Sequence, residues 1–163
     1  MESDILKEIL DGIHSLFKTA QIRLSVAESC TGGLIGHLIT SLPGASLFFD
    51  SSVVSYSTES KIKLLGVRRS IIRKHGAVSE ETAIAMAKGI RKKRGTDFSL
   101  SITGNLGPEP MEGKRVGLIY MAVDWKDGTE SKGMIYEGER EEIKLKAAGG
   151  ALQFLLEVVR LWA

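Results

Sequence analysis

The chain has one cysteine, Cys30, in 163 residues. A lone cysteine excludes an internal disulfide and fits a reducing compartment, so a cytoplasmic protein is expected. No apolar run reaches the roughly 18 residues of a membrane-spanning helix. The first residues carry acids at Glu2 and Asp4 instead of a basic segment followed by an apolar one, so no secretory signal is expected. Charge of one sign is also missing: the net charge is +2. Basic residues cluster at Arg68-Arg69, Arg73-Lys74 and Arg91-Lys92-Lys93-Arg94. Acids nearly balance them, and the last cluster reads as a solvated helix end whose cations complement the dipole, so nucleic acid is not the expected partner. There is no His/Cys pair at ligand spacing, no HExxH segment and no carboxylate cluster, so no metal is expected. No complete phosphate loop or GxGxxG pattern occurs, and no cofactor is expected.

What is present is ordinary for a folded protein. Apolar residues make up 43% of the chain and charged residues 26%, which argues against disorder. A chain of this length buries a full core without disulfide or metal, and residues 1–163 read as one domain. The 18 glycines point to many tight turns and close backbone approaches.

The periodicity alternates between helix and strand. Ile5, Leu6, Ile9, Leu10, Ile13, Leu16 and Phe17 draw one face of an amphipathic helix over 2–19. A strand is expected over 23–28, a helix over 31–41, a Pro43-Gly44 turn and a strand from Phe48 to Tyr56. Short helical segments follow at 58–65, ending at Gly66, and at 68–74, ending at His75-Gly76. Ser79 then caps a helix to Arg94, with Glu80 and Glu81 in its first turn and Gly95 as its stop. A strand at 98–103, a loop at 104–115, a buried strand from Val116 to Trp125, a hairpin turn at 126–129, a strand at 131–137 and a helix at 139–161 complete the chain. This alternation defines an α/β class with helices on both faces of a sheet, and the hairpin at Gly128 makes the sheet mixed.

In open α/β sheets ligands sit beyond the carboxyl ends of the strands. Three such ends carry hydroxyls: Glu28-Ser29, Ser55-Tyr56 and Thr103-Gly104. The first opens Ala27-Glu28-Ser29-Cys30-Thr31-Gly32-Gly33. A helix starting near Thr31 would turn unpaired N–H groups and its positive dipole end toward an anion or a developing oxyanion at Ser29 and Cys30. The plainer reading is a capped helix start with two glycines for packing. Serine needs a base, and none of the three strand ends carries a histidine. His37 and His75 are weaker candidates for that base than Lys61, five residues after Tyr56. Serine–lysine pairs are a variant of the triad logic, and burial lowers a lysine's pKa toward the neutral form a base requires. On spacing alone Lys61 and Lys63 read more simply as solvated lysines on a short helix.

These segments, together with Val54-Ser55-Tyr56-Ser57, Lys61-Ile62-Lys63-Leu64-Leu65-Gly66-Val67, His75-Gly76-Ala77-Val78-Ser79-Glu80-Glu81, Thr103-Gly104 with Gly107-Pro108, and Val116-Gly117, resemble the C-terminal domain family of competence/damage-inducible protein A (CinA). The resemblance runs from about residue 5 to 160. It implies a three-layer α/β/α sandwich with a mixed, mostly parallel sheet of about five strands. It also implies an amidohydrolase that converts nicotinamide mononucleotide to nicotinic acid mononucleotide and ammonia. The form implied is the stand-alone one, with a small nucleotide as substrate, and the family suggests a homodimer. By resemblance Ser29 is the nucleophile, Lys61 its general base and Tyr56 the tyrosine that assists them. Cys30 and Thr31 offer backbone N–H groups to the oxyanion, and Gly32 and Gly33 meet that oxyanion or the substrate phosphate. Thr103 and Gly104 open a second substrate loop, and Arg140 matches an arginine before the last helix.

One stretch departs from the family. Its members commonly follow Thr-Gly with Ile-Ala-Gly-Pro and a glycine-rich run, whereas here Asn105-Leu106-Gly107-Pro108-Glu109-Pro110-Met111-Glu112-Gly113 brings two acids. Carboxylates repel a phosphate-bearing ligand unless they point away or pair with a cation. Lys144 also stands where an arginine is commoner, keeping the charge and losing the bidentate fork. Three other readings remain at this stage: an amidase for a different amide, a non-catalytic nucleotide-binding or partner-docking module, and Cys30 as a nucleophile with a lowered pKa.

Overall fold

The computed structural model describes residues 3–162. The first helix, α1, spans Ser3–Ala20; the expected start at residue 2 lies outside the described residues. The strands are β1 (Leu24–Glu28), β2 (Phe49–Val54), β3 (Phe98–Gly104), β4 (Leu118–Trp125) and β5 (Gly128–Ile135). They form one sheet in the order β2-β1-β3-β4-β5. β1 pairs in parallel with β2 and β3, while β4 runs antiparallel to β3 and β5. Four strands therefore share a direction and β4 opposes them, as the hairpin at Gly128 requires.

Helices cover both faces. On one side lie α1, α2 (Leu34–Thr40) and α6 (Arg140–Trp162). On the other, α5 (Glu80–Arg94) packs along the sheet, with α3 (Thr58–Leu65) and α4 (Arg69–His75) against it. Period-two alternation within each strand sorts the two faces. Leu24 and Val26, then Phe98, Leu100 and Ile102, then Ile119, Met121 and Val123 enter the main core beneath α1, α2 and α6. The intervening positions are small or polar. Ser99 and Ser101 donate hydroxyl hydrogen bonds to the Ala87 and Ala83 carbonyls of α5, at 2.7 and 2.5 Å. Asp124, buried on this side, accepts from Arg91 at 2.5 Å. At Gly89 a Cβ would lie 1.9 Å from the Leu65 carbonyl oxygen, so only glycine lets α5 approach α3 this closely.

The structure differs from the expected elements in several places. β5 begins at Gly128 and not at 131, because the hairpin turn is only Lys126-Asp127. A 3-10 turn at Ala45–Leu47 follows Pro43-Gly44. β4 begins at Leu118, because Gly117 at φ 88° turns the chain where its α-carbon meets the Tyr136 backbone. Most consequential, α2 begins at Leu34 and not at Thr31, since Gly32 and Gly33 occupy positive φ at 60° and 103°.

Candidate active site

That late start has a cause in Glu28. The last residue of β1 is fully buried and turns its carboxylate back under α2. Oε1 accepts from the Thr31 hydroxyl at 2.7 Å and from the N–H groups of Gly33 and Ile35 at 3.2 and 2.9 Å. Oε2 accepts from the Gly36 N–H at 3.0 Å and from the Ser52 hydroxyl at 2.5 Å. The anion expected at this helix start is thus supplied by the chain itself. Thr31 and Gly33 are taken up by this cap. Gly32 is exposed, and a Cβ built there would lie 4.0 Å from Lys144 Nζ. None of the three lines the cleft onto which Ser29 opens.

Ser29 follows directly and sits where three strands meet. Its N–H donates to the Ile102 carbonyl at 3.1 Å, continuing the β1–β3 ladder. Next to it the Ser55 N–H donates to the Glu28 carbonyl at 2.7 Å, continuing the β1–β2 ladder. The parallel register Glu28↔Val54 therefore puts Ser29 beside Ser55. Immediately afterwards the Ser57 hydroxyl caps α3 by accepting from the Ser60 N–H at 3.0 Å, which fixes the helix that carries Lys61.

Lys61, 1% exposed, reaches back to this junction. Nζ lies 2.8 Å from Ser29 Oγ, 2.8 Å from the Ser55 carbonyl oxygen and 3.0 Å from the Tyr56 carbonyl oxygen. Three acceptors match the three donors of an ammonium. An uncharged amine fits equally well, with two N–H groups on the carbonyls and its lone pair toward the serine hydroxyl. Burial lowers the Lys61 pKa from 10.5 to about 8, against the opposing pull of Cys30 and Glu112. At pH 7 a minor fraction of Lys61 is already neutral.

Ser29 and Lys61 open onto a cleft of about 620 Å³ at the carboxyl edge of β1, β2 and β3. Of the residues expected there, Cys30, Tyr56, Thr103, Gly104 and Arg140 line it. Tyr56 meets the pair through its backbone. Its backbone carbonyl holds Lys61, while its hydroxyl accepts from Arg140 at 3.1 Å. Arg140 also donates to the Gly107 carbonyl. The Thr103 hydroxyl is committed to the Ala77 carbonyl at 2.8 Å, binding the end of β3 to the turn before α5. Among the described residues no backbone carbonyl of another residue accepts from the N–H groups of Cys30 or Thr31. The Cys30 thiol itself is buried, and desolvation pushes its pKa up to about 12, the reverse of an activated nucleophile.

The histidines lie elsewhere. His14 is buried with Nε2 2.8 Å from the Ile39 carbonyl oxygen, His75 Nδ1 is 3.6 Å from Glu81, and His37 is exposed on α2. Among the described residues no group of His, Cys, Asp and Glu side chains is placed to hold a metal ion, and no helix is long and apolar enough to cross a membrane. Of the four cations at the end of α5, Arg91 pairs with Asp124 and Arg94 with Asp50.

Sequence reasoning saw Asn105 and Glu112 only as part of a departing loop and gave neither a role. Asn105 is buried and organises the departing loop, donating to the Glu109 carbonyl at 3.1 Å and accepting from the Gly107 N–H at 2.9 Å. Glu112 closes that loop onto the 76–78 turn. The signal for Asn105 was an Asn two residues before Gly in a loop rich in turn residues.

Fold and site together define an α/β/α domain whose cleft holds a buried serine–lysine contact on the carboxyl edge of a mixed sheet. The chain belongs to the CinA C-terminal domain family, whose profile matches residues 6–159. It is 42% identical over 144 residues to a CinA-like protein of Geotalea uraniireducens, covering 88% of this chain and 34% of that one. It is 46% identical over 134 residues to a CinA-like protein of Syntrophomonas wolfei, covering 82% of this chain and 32% of that one. The chain thus spans about a third of the length of the curated relatives it matches. Among solved structures, the competence damage-inducible protein A (ComA) of Klebsiella pneumoniae superposes with a TM-score of 0.94 at 32% identity, over 97% of this chain and 99% of that one. The competence/damage inducible protein CihA of Agrobacterium tumefaciens gives 0.90 at 33% identity, over 94% of each chain.

Proposed function

We propose that this domain is a serine–lysine amidohydrolase that deamidates nicotinamide mononucleotide to nicotinic acid mononucleotide and ammonia. The observation that carries the reading is the 2.8 Å contact between Lys61 Nζ and Ser29 Oγ, with the lysine buried and its pKa lowered to about 8. The substrate is the one implied by family resemblance. A purely binding domain has no need of a desolvated amine against a hydroxyl.

Neutral Lys61 takes the Ser29 hydroxyl proton as Oγ bonds to the carboxamide carbon. The carbonyl oxygen becomes an oxyanion beside the N–H groups of Cys30 and Thr31. Collapse of the tetrahedral species breaks the C–N bond, and the Lys61 ammonium returns its proton to the leaving amine, which departs as ammonia. Water then attacks the Ser29 ester with Lys61 again as base, releasing the carboxylic acid and restoring both side chains. One water is consumed for each amide cleaved.

The test is ammonia release from nicotinamide mononucleotide by the purified protein, with Ser29→Ala alongside. Turnover that disappears in the variant supports reaction and nucleophile together. A folded wild type that releases no ammonia overturns the reading in favour of a binding module or a different amide.

A further inference from the structure

Glu112 gives the cleft a charge that the proposed hydrolysis does not use. The residue lines the same cleft as Ser29 and Lys61. Its Oε1 accepts from the N–H groups of Ala77 and Val78 at 3.1 and 3.3 Å. Its Oε2 lies over Gly76, where a built Cβ would come within 1.7 Å of it. Glu112 has φ 57°, in the left-handed region that side-chain-bearing residues rarely occupy. The carboxylate is therefore held in one place. Its nearest counter-charge is Lys114 at 3.9 Å, but that ammonium donates to the carbonyls of His75 and Val78.

A weak pull of this carboxylate reaches Lys61. Two groups pull the Lys61 pKa back up, Cys30 and Glu112. The Cys30 thiol, its pKa pushed up by burial, is uncharged at neutral pH, so of these two only Glu112 carries a charge there. Arg140 supplies the opposite sign elsewhere in the cleft. Its partners there are the Gly107 carbonyl and the Tyr56 hydroxyl, and among the described residues no carboxylate pairs with it. The cleft thus presents a fixed anion against the 76–78 turn and an uncompensated cation against Tyr56 and Gly107.

We infer that Glu112 is a specificity residue: it selects amides carried on a cationic ring, such as an N-substituted pyridinium, over amides of the same shape on a neutral ring. The inference rests on the amidohydrolase reading for the kind of ligand. A pyridinium nucleotide is positive at the ring and negative at the phosphate, which matches Glu112 on one side of the cleft and Arg140 on the other. Glu112 then ceases to be an anomaly for a phosphate-bearing ligand. Glu112 lies toward the ring, and Arg140 remains for the phosphate.

The probes are nicotinamide mononucleotide and its reduced form, which keeps the carboxamide, ribose and phosphate but has an uncharged dihydropyridine ring. Binding of each is measured by calorimetry in a Ser29→Ala background, which prevents turnover, with and without Glu112→Gln. Glutamine retains an acceptor for the Ala77 and Val78 N–H groups. With Glu112 intact the oxidised form binds about tenfold tighter, and Glu112→Gln brings the ratio close to one. Raising salt from about 0.01 to 0.5 M lowers the ratio in the protein that keeps Glu112, a readout that needs no substitution in the loop. A ratio indifferent to Glu112→Gln, an equal loss for both forms, or no binding of either overturns the inference. Ammonia release by the protein with Ser29 intact separates the two claims. A silent enzyme with a Glu112-dependent ratio sinks the hydrolase and keeps the selector, whereas an active enzyme with an indifferent ratio does the opposite.

Discussion

Ser52 donates its hydroxyl to Glu28 Oε2 at 2.5 Å, so the side chain that caps α2 is anchored to the adjacent strand. The same carboxylate accepts three backbone N–H groups and the Thr31 hydroxyl, and the residue after it is Ser29. Glu28→Gln turns an NH2 group toward donors that need an acceptor. The expected cost is about 2–4 kcal/mol of stability, read as a lower urea midpoint at unchanged m-value.

The rate should follow the neutral fraction of Lys61. With its pKa lowered to about 8, kcat/KM for the proposed reaction rises almost tenfold per pH unit below 7 and levels off above about 8. Lys61→Arg removes the base at every accessible pH and costs on the order of 10²–10⁴ in rate. Activity retained in that variant would mean that a permanent charge suffices.

Lys61 also links stability to pH. Its folded pKa, about 8, lies below its ordinary 10.5, so between these values the unfolded chain binds the extra proton and stability rises with pH. The whole shift is worth about 3 kcal/mol, absent below pH 8 and complete above 10.5. Cys30 acts in the opposite sense above its ordinary 9.0, because its folded pKa is raised to about 12. The window from pH 8 to 9 therefore isolates the lysine. Urea midpoints should climb there in the wild type and stay flat in Lys61→Met.

Cys30 should be silent in both senses. Burial and its raised pKa predict no labelling of the native protein by thiol reagents at pH 7–8, and full labelling once urea unfolds it. Cys30→Ser should keep turnover within several-fold. Loss of turnover there, with Ser29→Ala active, would reassign the nucleophile.

Tyr56 separates its backbone from its side chain. Tyr56→Phe leaves the carbonyl that holds Lys61 and deletes the hydroxyl on Arg140. The expected result is a KM raised about fivefold, worth the ~1 kcal/mol of one hydrogen bond, with kcat within twofold. A collapse of kcat would show the phenol taking part in proton transfer.

The element order was legible because helix and strand periods alternate cleanly, as in Leu24–Val26 against α1, and because Gly66, Gly76 and Gly95 sit at the helix ends they terminate. Ser29 and Lys61 were legible by position, one at a strand end and the other just past the next. Their contact was not, since it depends on the β1–β2 register and on a lysine folding back over its own helix start. The role of Glu28 was hidden because an acid at a strand end looks like a solvent-facing residue until the helix above it is placed. Glu112 was visible as a departure from the family, and only the turn at Ala77–Val78 says what it rests on.

The hydroxyls of Ser99 and Ser101 have a reach beyond packing. By bonding carbonyls of α5 they set the gap between helix and sheet as a ruler would, at the length of one serine side chain. The turn that precedes α5 forms one bank of the cleft, and the ends of β1 and β3 form the other. The width of the mouth is thus gauged one and two helical turns away from it, as well as at the mouth itself by Thr103 on the Ala77 carbonyl. This layer has room to drift only among serine, alanine and glycine, because a larger residue there would pry the banks apart without touching either one.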